Sequence, residues 1–138
     1  MSKISSCRRF TAGIIFAVTA SAILGSSVCL AQESPVVGTY RGNVIFPGRL
    51  GDTPLGLVLA IESVQDGVVK ANADYSTRGS CSDRFPMEGK LEENKLTLKE
   101  TKKFGRAGDC TLFLNLSVEG NKLVGKTGGP GHPVALSK

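Results

Sequence analysis

Hydrophobic and polar residues alternate with a period of two from Val36 to the end of the sequence, and almost no stretch has the helical period. The clearest alternation places Leu112, Leu114 and Leu116 on one face, with mostly polar residues between them. Such a pattern is typical of strands that bury one face. It predicts eight strands, at residues 36–46, 55–61, 69–75, 85–92, 95–99, 112–118, 122–127 and 134–137.

Short connections separate these strands. Gln65-Asp66-Gly67, Glu93-Asn94 and Gly120-Asn121 carry the residues that tight hairpin turns require. Local connections favour an antiparallel meander, and eight strands are enough for a sheet to close on itself. We therefore predict an all-β fold, a small up-and-down (lipocalin-like) barrel. A two-sheet β-sandwich is the alternative, since the sequence does not fix how strands are shared between sheets.

Residues 1–31 have the composition of a secretory signal. Lys3, Arg8 and Arg9 precede an apolar run from Phe10 to Leu24 that is too short to span a bilayer comfortably. Small residues follow, and we predict cleavage after Ala31. A lipoprotein site at Cys29 is the alternative. The prediction is a signal peptide at 1–31, then one domain at 32–138 that is periplasmic or secreted.

Two of the four cysteines, Cys7 and Cys29, fall in the predicted signal, which leaves Cys81 and Cys110 as the pair for a disulfide. Export to an oxidising compartment permits the bond. Closing a loop of about 30 residues stabilises a fold by roughly 3.5 kcal/mol in the chain-entropy model. The bond is either a structural staple alone or a device that holds two charged loops rigid for a partner.

Charge changes little about this interpretation. The chain has 17 Lys and Arg against 12 Asp and Glu, a net charge of +5. Loss of the three signal cations leaves 14 basic residues and a net charge of +2, because residues 1–31 contain no acid. The basic excess is therefore no signature of nucleic-acid binding. The sequence has no second long apolar run that would indicate a membrane span.

Candidate catalytic and cofactor chemistry is sparse. Residues 120–127, Gly-Asn-Lys-Leu-Val-Gly-Lys-Thr, match the phosphate-loop pattern, but the Gly-Gly-Pro-Gly-His-Pro sequence after them cannot begin the helix that such a loop needs. We interpret the match as a hairpin turn and a strand. His132 is the only histidine and lies in a loop. The sequence has no Cys-x-x-Cys motif, and no histidine lies near Cys81 or Cys110. We predict no cofactor, no metal site and no enzyme activity.

The loops beside the two cysteines carry the candidate binding residues. Arg78, Ser80, Asp83 and Arg84 surround Cys81, and a basic segment with Phe104 among its cations precedes Cys110. These loops are typical of a solvated surface or of a docking site for an anionic partner. The candidate partner-binding residues are Arg78, Ser80, Asp83, Arg84, Lys102, Lys103 and Arg106.

The size, signal, eight-strand meander and Cys81–Cys110 pair together resemble the small periplasmic lysozyme inhibitors of Gram-negative bacteria. The resemblance covers residues 32–138 and is architectural. Those families insert a loop with a Ser-Gly-x-x-Tyr motif into the cleft of the enzyme. The nearest stretch here, residues 76–81 (Ser-Thr-Arg-Gly-Ser-Cys), lacks the motif, so no motif residue is transferred. The net charge of +2 is also less suited to steering toward a cationic lysozyme than an acidic surface would be.

Three hypotheses follow. The first is a protein-binding module, with inhibition of a lysozyme or a similar hydrolase as its concrete form. The second is a lipocalin-like carrier of a small apolar ligand, which requires a cavity in the barrel. An enzyme is the third and least supported. The sequence leaves the oligomeric state open, a homodimer included.

Overall fold

The computed structural model describes residues 34–76, 79–129 and 131–138. Strands make up the regular structure of these residues, as the alternating pattern predicts. They are β1 (Gly38–Phe46), β2 (Thr53–Gln65), β3 (Val68–Ser76), β4 (Asp83–Glu92), β5 (Lys95–Glu100), β6 (Phe113–Glu119), β7 (Lys122–Thr127) and β8 (Pro133–Ser137).

The strands form a closed barrel in which each strand pairs with its neighbours in sequence order. All pairs are antiparallel, and β8 closes the barrel against β1, from Arg41 opposite Ser137 to Val44 opposite Val134. The predicted meander is therefore confirmed, and the β-sandwich alternative is wrong. Closure leaves no sheet edge with an unpaired row of backbone groups.

The two ends of the barrel differ. One end, which we call the turn end, carries the tight turns at 66–67, 93–94 and 120–121. Asp66 and Gly67 have φ angles of 52° and 79°, the left-handed pair that a type I′ hairpin requires. The other end, which we call the mouth, carries the longer connections, whose described residues are 47–52, 79–82, 101–112, 128–129 and 131–132.

The inward faces of the strands form one hydrophobic core. Gly89 and Gly125 belong to this inward face, and a Cβ at either position would strike the carbonyl oxygen of the neighbouring strand, at Thr97 and Asn115. Glycine thus allows the strands to approach closely where the barrel curves. The largest fully buried side chains are Tyr40, Val44, Leu57, Leu59, Val69, Met87, Leu96, Leu98, Leu114, Leu123 and Val134.

Pro86 lies in the middle of β4 without breaking its pairing with β3. Its carbonyl accepts a hydrogen bond of 3.1 Å from the Thr101 amide, so its backbone faces the β5 side. β5 ends at Glu100, opposite Met87, so no residue of β5 lies opposite Pro86. The missing N–H of proline therefore points to a place where the regular ladder has already ended.

Contacts that involve residues near both ends of the described chain close the turn end. The Tyr40 hydroxyl donates to the Val36 carbonyl at 3.0 Å. The Lys138 ammonium donates to the Pro35 carbonyl at 2.8 Å and lies 5.3 Å from the centre of the Tyr40 ring. These contacts cover the base of the core.

The predicted signal, residues 1–31, lies outside the described residues, as does the cleavage site. No helix in the described part of the chain is long and apolar enough to cross a membrane. The residues that match the phosphate-loop pattern form a turn at 120–121 and the strand β7, Lys122–Thr127, as predicted.

Candidate functional site at the mouth of the barrel

A disulfide joins two loops at the mouth. Cys81 and Cys110 are bonded, with their Cα atoms 5.7 Å apart, which confirms the predicted pair. Around Cys110 the chain folds back on itself, because the amides of Phe104 and Cys110 each donate to the carbonyl of the other, at 3.1 and 3.0 Å. A turn closes this small hairpin, in which the Gly108 amide donates to the Gly105 carbonyl at 3.1 Å.

The hairpin carries Phe104 into the barrel. Its side chain is only 4% exposed, although its sequence neighbours are charged. The ring stacks on Phe85, with centroids 3.7 Å apart and planes at 11°, and meets Tyr75 edge-on at 6.5 Å. Phe104 is therefore a core residue supplied by a loop, and it closes the barrel interior below the mouth.

Two further hydrogen bonds fix this hairpin to residues on either side of Cys81, namely Ser80 and Asp83. The Arg106 amide donates to the Ser80 carbonyl at 2.7 Å, and the Gly105 amide donates to the Asp83 carboxylate at 3.1 Å. Gly105 has a φ of 85°, and a Cβ there would lie 2.6 Å from the Cys110 sulfur. Only glycine allows the two loops to approach this closely.

A pocket of about 690 Å³ opens at this end of the barrel. Its wall is mainly apolar, because inward residues at the mouth ends of the strands surround it together with the loops. Phe113 joins this wall from the outward face of β6. A few polar groups, at Ser80, Thr111 and Thr127, interrupt the apolar wall. We call this cavity the mouth pocket. Its apolar lining includes Phe46, Leu55, Tyr75, Phe104, Leu112, Phe113 and His132.

Hydrogen bonds fix the His132 side of the mouth pocket. The Thr127 hydroxyl accepts from the His132 amide at 3.0 Å, and the Thr127 amide donates to the His132 carbonyl at 2.9 Å. Thr127 is the buried polar residue of the described core, 7% exposed. The His132 ring lies against Phe46, with centroids 4.1 Å apart. His132, which the sequence placed in a loop without a role, therefore forms part of the pocket wall.

Tyr75 brings an ionisable hydroxyl to the lining of the mouth pocket. Burial disfavours its ionised form and raises the pKa of its hydroxyl above the usual 10.0. At neutral pH the pocket therefore presents a neutral phenol on this side. Such a group suits binding and orientation of a ligand more than proton transfer.

The predicted partner-binding residues around Cys81 have different environments. Arg78 lies outside the described residues. Ser80 lines the mouth pocket. The Asp83 carboxylate accepts the amides of Arg84 and Gly105, so it supports the loops from within. The Arg84 guanidinium pairs with Asp74 at 2.9 Å on the outer wall.

The predicted basic residues of the second loop remain on the surface. Lys102, Lys103 and Arg106 are exposed, whereas Phe104 between them is buried. Arg106 lines a smaller polar pocket of about 490 Å³ with Gly79, Ser80 and Ser82. The structure thus brings Ser80 and Arg106 together and leaves Lys102 and Lys103 on the rim.

Sequence reasoning missed most of the mouth pocket. In a meander, every second connection lies at the same end of the barrel. The inward residues next to these connections include Phe46, Leu55, Leu112 and Thr127. That signal was present in the sequence. His132 had no such signal, because it lies in a connection rather than in a strand.

Among residues 34–76, 79–129 and 131–138, no group of three or more His, Cys, Asp or Glu side chains is placed to hold a metal ion.

No protein-family model, curated protein or solved structure matches this chain.

Proposed function

We propose that the protein is an exported, non-enzymatic binding protein that holds a small, mainly apolar ligand in the mouth pocket. The observation that carries the proposal is the pocket of about 690 Å³, lined mainly by apolar and aromatic side chains at the mouth of a closed barrel. Small-molecule sites are commonly concave and apolar with a few polar groups, and barrel mouths are among their usual places.

Several features support a built site. The disulfide and the loop contacts hold the wall in place before a ligand arrives, which lowers the entropy lost on binding. Below the mouth, the inward side chains pack into the core and Phe104 covers them. The ligand would therefore occupy the mouth and not the barrel axis, in contrast to a deep lipocalin-like cavity.

A neutral fluorescent probe, N-phenyl-1-naphthylamine, tests the proposal directly. We expect saturable binding by the purified protein with its disulfide formed. Phe113→Ala should weaken binding about tenfold, because it removes an apolar ring from the pocket wall. Val124→Ala is the matched control, since Val124 is similarly exposed but does not line the pocket. Absence of saturable binding, or equal loss in both variants, would contradict the proposal.

A second candidate function is inhibition of a lysozyme or a similar hydrolase by the rim of the mouth. The observation that favours it is the link between the two cysteine loops, with Lys102, Lys103 and Arg106 exposed beside it. We expect Lys103→Ala to abolish binding to such an enzyme without lowering the melting temperature. The test adds the purified protein to lysozymes of several classes and follows cell-wall lysis, with Lys122→Ala at the turn end as control. Unchanged lysis with every enzyme would overturn this candidate.

A further inference from the structure

The polar pocket beside the mouth pocket is a second compartment of the same site. It measures about 490 Å³ and is lined by Gly79, Ser80, Ser82 and Arg106. The mouth pocket is also lined by Gly79 and Ser80, so the two compartments share a wall. A ligand that fills the apolar compartment has a polar compartment with a cation next to it.

The position of Arg106 relative to this wall is fixed by its backbone. Its amide donates to the Ser80 carbonyl at 2.7 Å, and the preceding residue, Gly105, donates to Asp83 at 3.1 Å. The Cys81–Cys110 disulfide joins the same two loops. The backbone of Arg106 is therefore held beside the boundary between the two compartments, and Arg106 lines the polar compartment from there.

Among the described residues that line the polar compartment, Arg106 is the charged one. In the described ranges, the one ion pair is that between Arg84 and Asp74, so Arg106 takes part in none there. The Asp83 carboxylate keeps its negative charge, but it is directed to the amides of Arg84 and Gly105 and lines neither compartment. Asp109, the acid of the hairpin, lines neither compartment, and Lys102 and Lys103 add positive charge to the same loop.

We infer that the ligand of the mouth pocket is an aromatic anion, with a flat apolar body in the mouth pocket and an acidic group over the polar compartment at Arg106. This inference rests on the proposed ligand-binding function. A guanidinium donates paired hydrogen bonds to a carboxylate or sulfonate, which a neutral polar group cannot receive as well. The rings of Phe46, Phe104 and Phe113 favour a flat partner, because aromatic rings gain energy from offset and edge-on packing.

A matched pair of fluorescent probes tests the charge. The probe 8-anilinonaphthalene-1-sulfonate has the same aromatic body as N-phenyl-1-naphthylamine and adds one sulfonate. We expect the native, disulfide-bonded protein to bind the anionic probe about tenfold more tightly than the neutral one, the effect of a hydrogen bond to a charged group. Arg106→Gln should remove that advantage and leave the affinity for the neutral probe unchanged. Lys122→Gln, the same charge change at the turn end, should alter neither.

The outcomes separate this inference from the function on which it rests. Equal affinity for both probes, or an anionic preference that survives Arg106→Gln, would overturn the inference while the ligand-binding function stands. Binding of neither probe would overturn both. Competition then tests the flat body: displacement of the anionic probe by 2-naphthoate at lower concentration than by dodecanoate supports it, and the reverse order overturns it.

Discussion

The ring of Phe104 lies on the ring of Phe85, with centroids 3.7 Å apart and planes 11° from parallel. A residue from the longest connection thus completes the packing of a strand residue. The contact links the disulfide-bonded hairpin to the barrel core. It also makes the pocket wall and the stability of the fold depend on one side chain.

Phe104→Ala should lower the free energy of unfolding by about 3–5 kcal/mol, the usual cost of removing a buried aromatic side chain. Its ring is 4% exposed, whereas that of Phe113, on the same pocket, is 39% exposed. Phe113→Ala should therefore cost less than about 1 kcal/mol. Urea unfolding of both variants measures the difference. Similar losses would show that Phe104 does not belong to the core.

Gly105→Ala should destabilise the protein by about 3 kcal/mol, because a left-handed φ and a blocked Cβ position both oppose it. Gly108 has a φ of 65° in the same hairpin, but a Cβ there meets nothing within 4 Å. Gly108→Ala should thus cost only about 1 kcal/mol. Thermal unfolding compares the two, and equal costs would mean that the close approach of the loops is not maintained in solution.

Replacement of both Cys81 and Cys110 by alanine should lower stability by about 3.5 kcal/mol, since the unfolded chain regains the entropy of the open loop. The hydrogen bond from the Arg106 amide to Ser80 should then open more often. Hydrogen exchange at the Arg106 amide should become faster, while exchange in β1 and β2 tracks only the global loss. Unchanged protection at Arg106 relative to the strands would show that the loops stay joined without the bond.

The stability of the protein should fall in alkaline solution through Tyr75. The pKa of its hydroxyl is raised by burial above 10.0, so the folded state holds the proton more tightly than the unfolded state. The resulting stabilisation is fully present below pH 10 and is lost as the pH rises through the raised pKa. Between about pH 9 and about pH 11, the Tyr75→Phe variant should therefore lose less stability than the wild type. Lysine titration in this range affects both proteins equally. Parallel urea titrations measure this, and identical pH profiles would contradict it.

Arg84→Ala should change the free energy of unfolding by less than about 1 kcal/mol, because exposed ion pairs contribute little. The side chains of Arg84 and Asp74 are 77% and 42% exposed. The small effect should also disappear in high salt, since screening weakens the pair. Urea unfolding at low and high salt checks both statements, and a loss of several kcal/mol would show that Arg84 has a further structural contact.

The barrel could be predicted from the sequence because each strand repeats the same local rule. Leu112, Leu114 and Leu116 alternate with a period of two, and turn residues such as Asp66-Gly67 mark where the chain reverses. The disulfide could be predicted because Cys7 and Cys29 fall in the predicted signal, which leaves Cys81 and Cys110. None of these inferences requires knowledge of which distant residues touch.

The parts of the mouth pocket that come from the connections could not be predicted in the same way, because residues distant in the sequence bring them together. Phe104 looks like a surface residue among charges, and only the fold of its hairpin carries it into the core. His132 reaches Phe46 across the β8–β1 closure. Asp83 and Arg106 looked equivalent as loop charges, yet one supports the loops through backbone amides and the other lines a pocket.

The pairing of β1 with β8 has a consequence for how the protein is made. β8 is the last strand, Pro133–Ser137, and it lies between β7 and β1. A ribosome that still holds residues 133–137 therefore prevents closure, and until their release β1 and β7 expose unpaired backbone groups. The chain should depend on protection from aggregation during this interval, because such open edges recruit other strands.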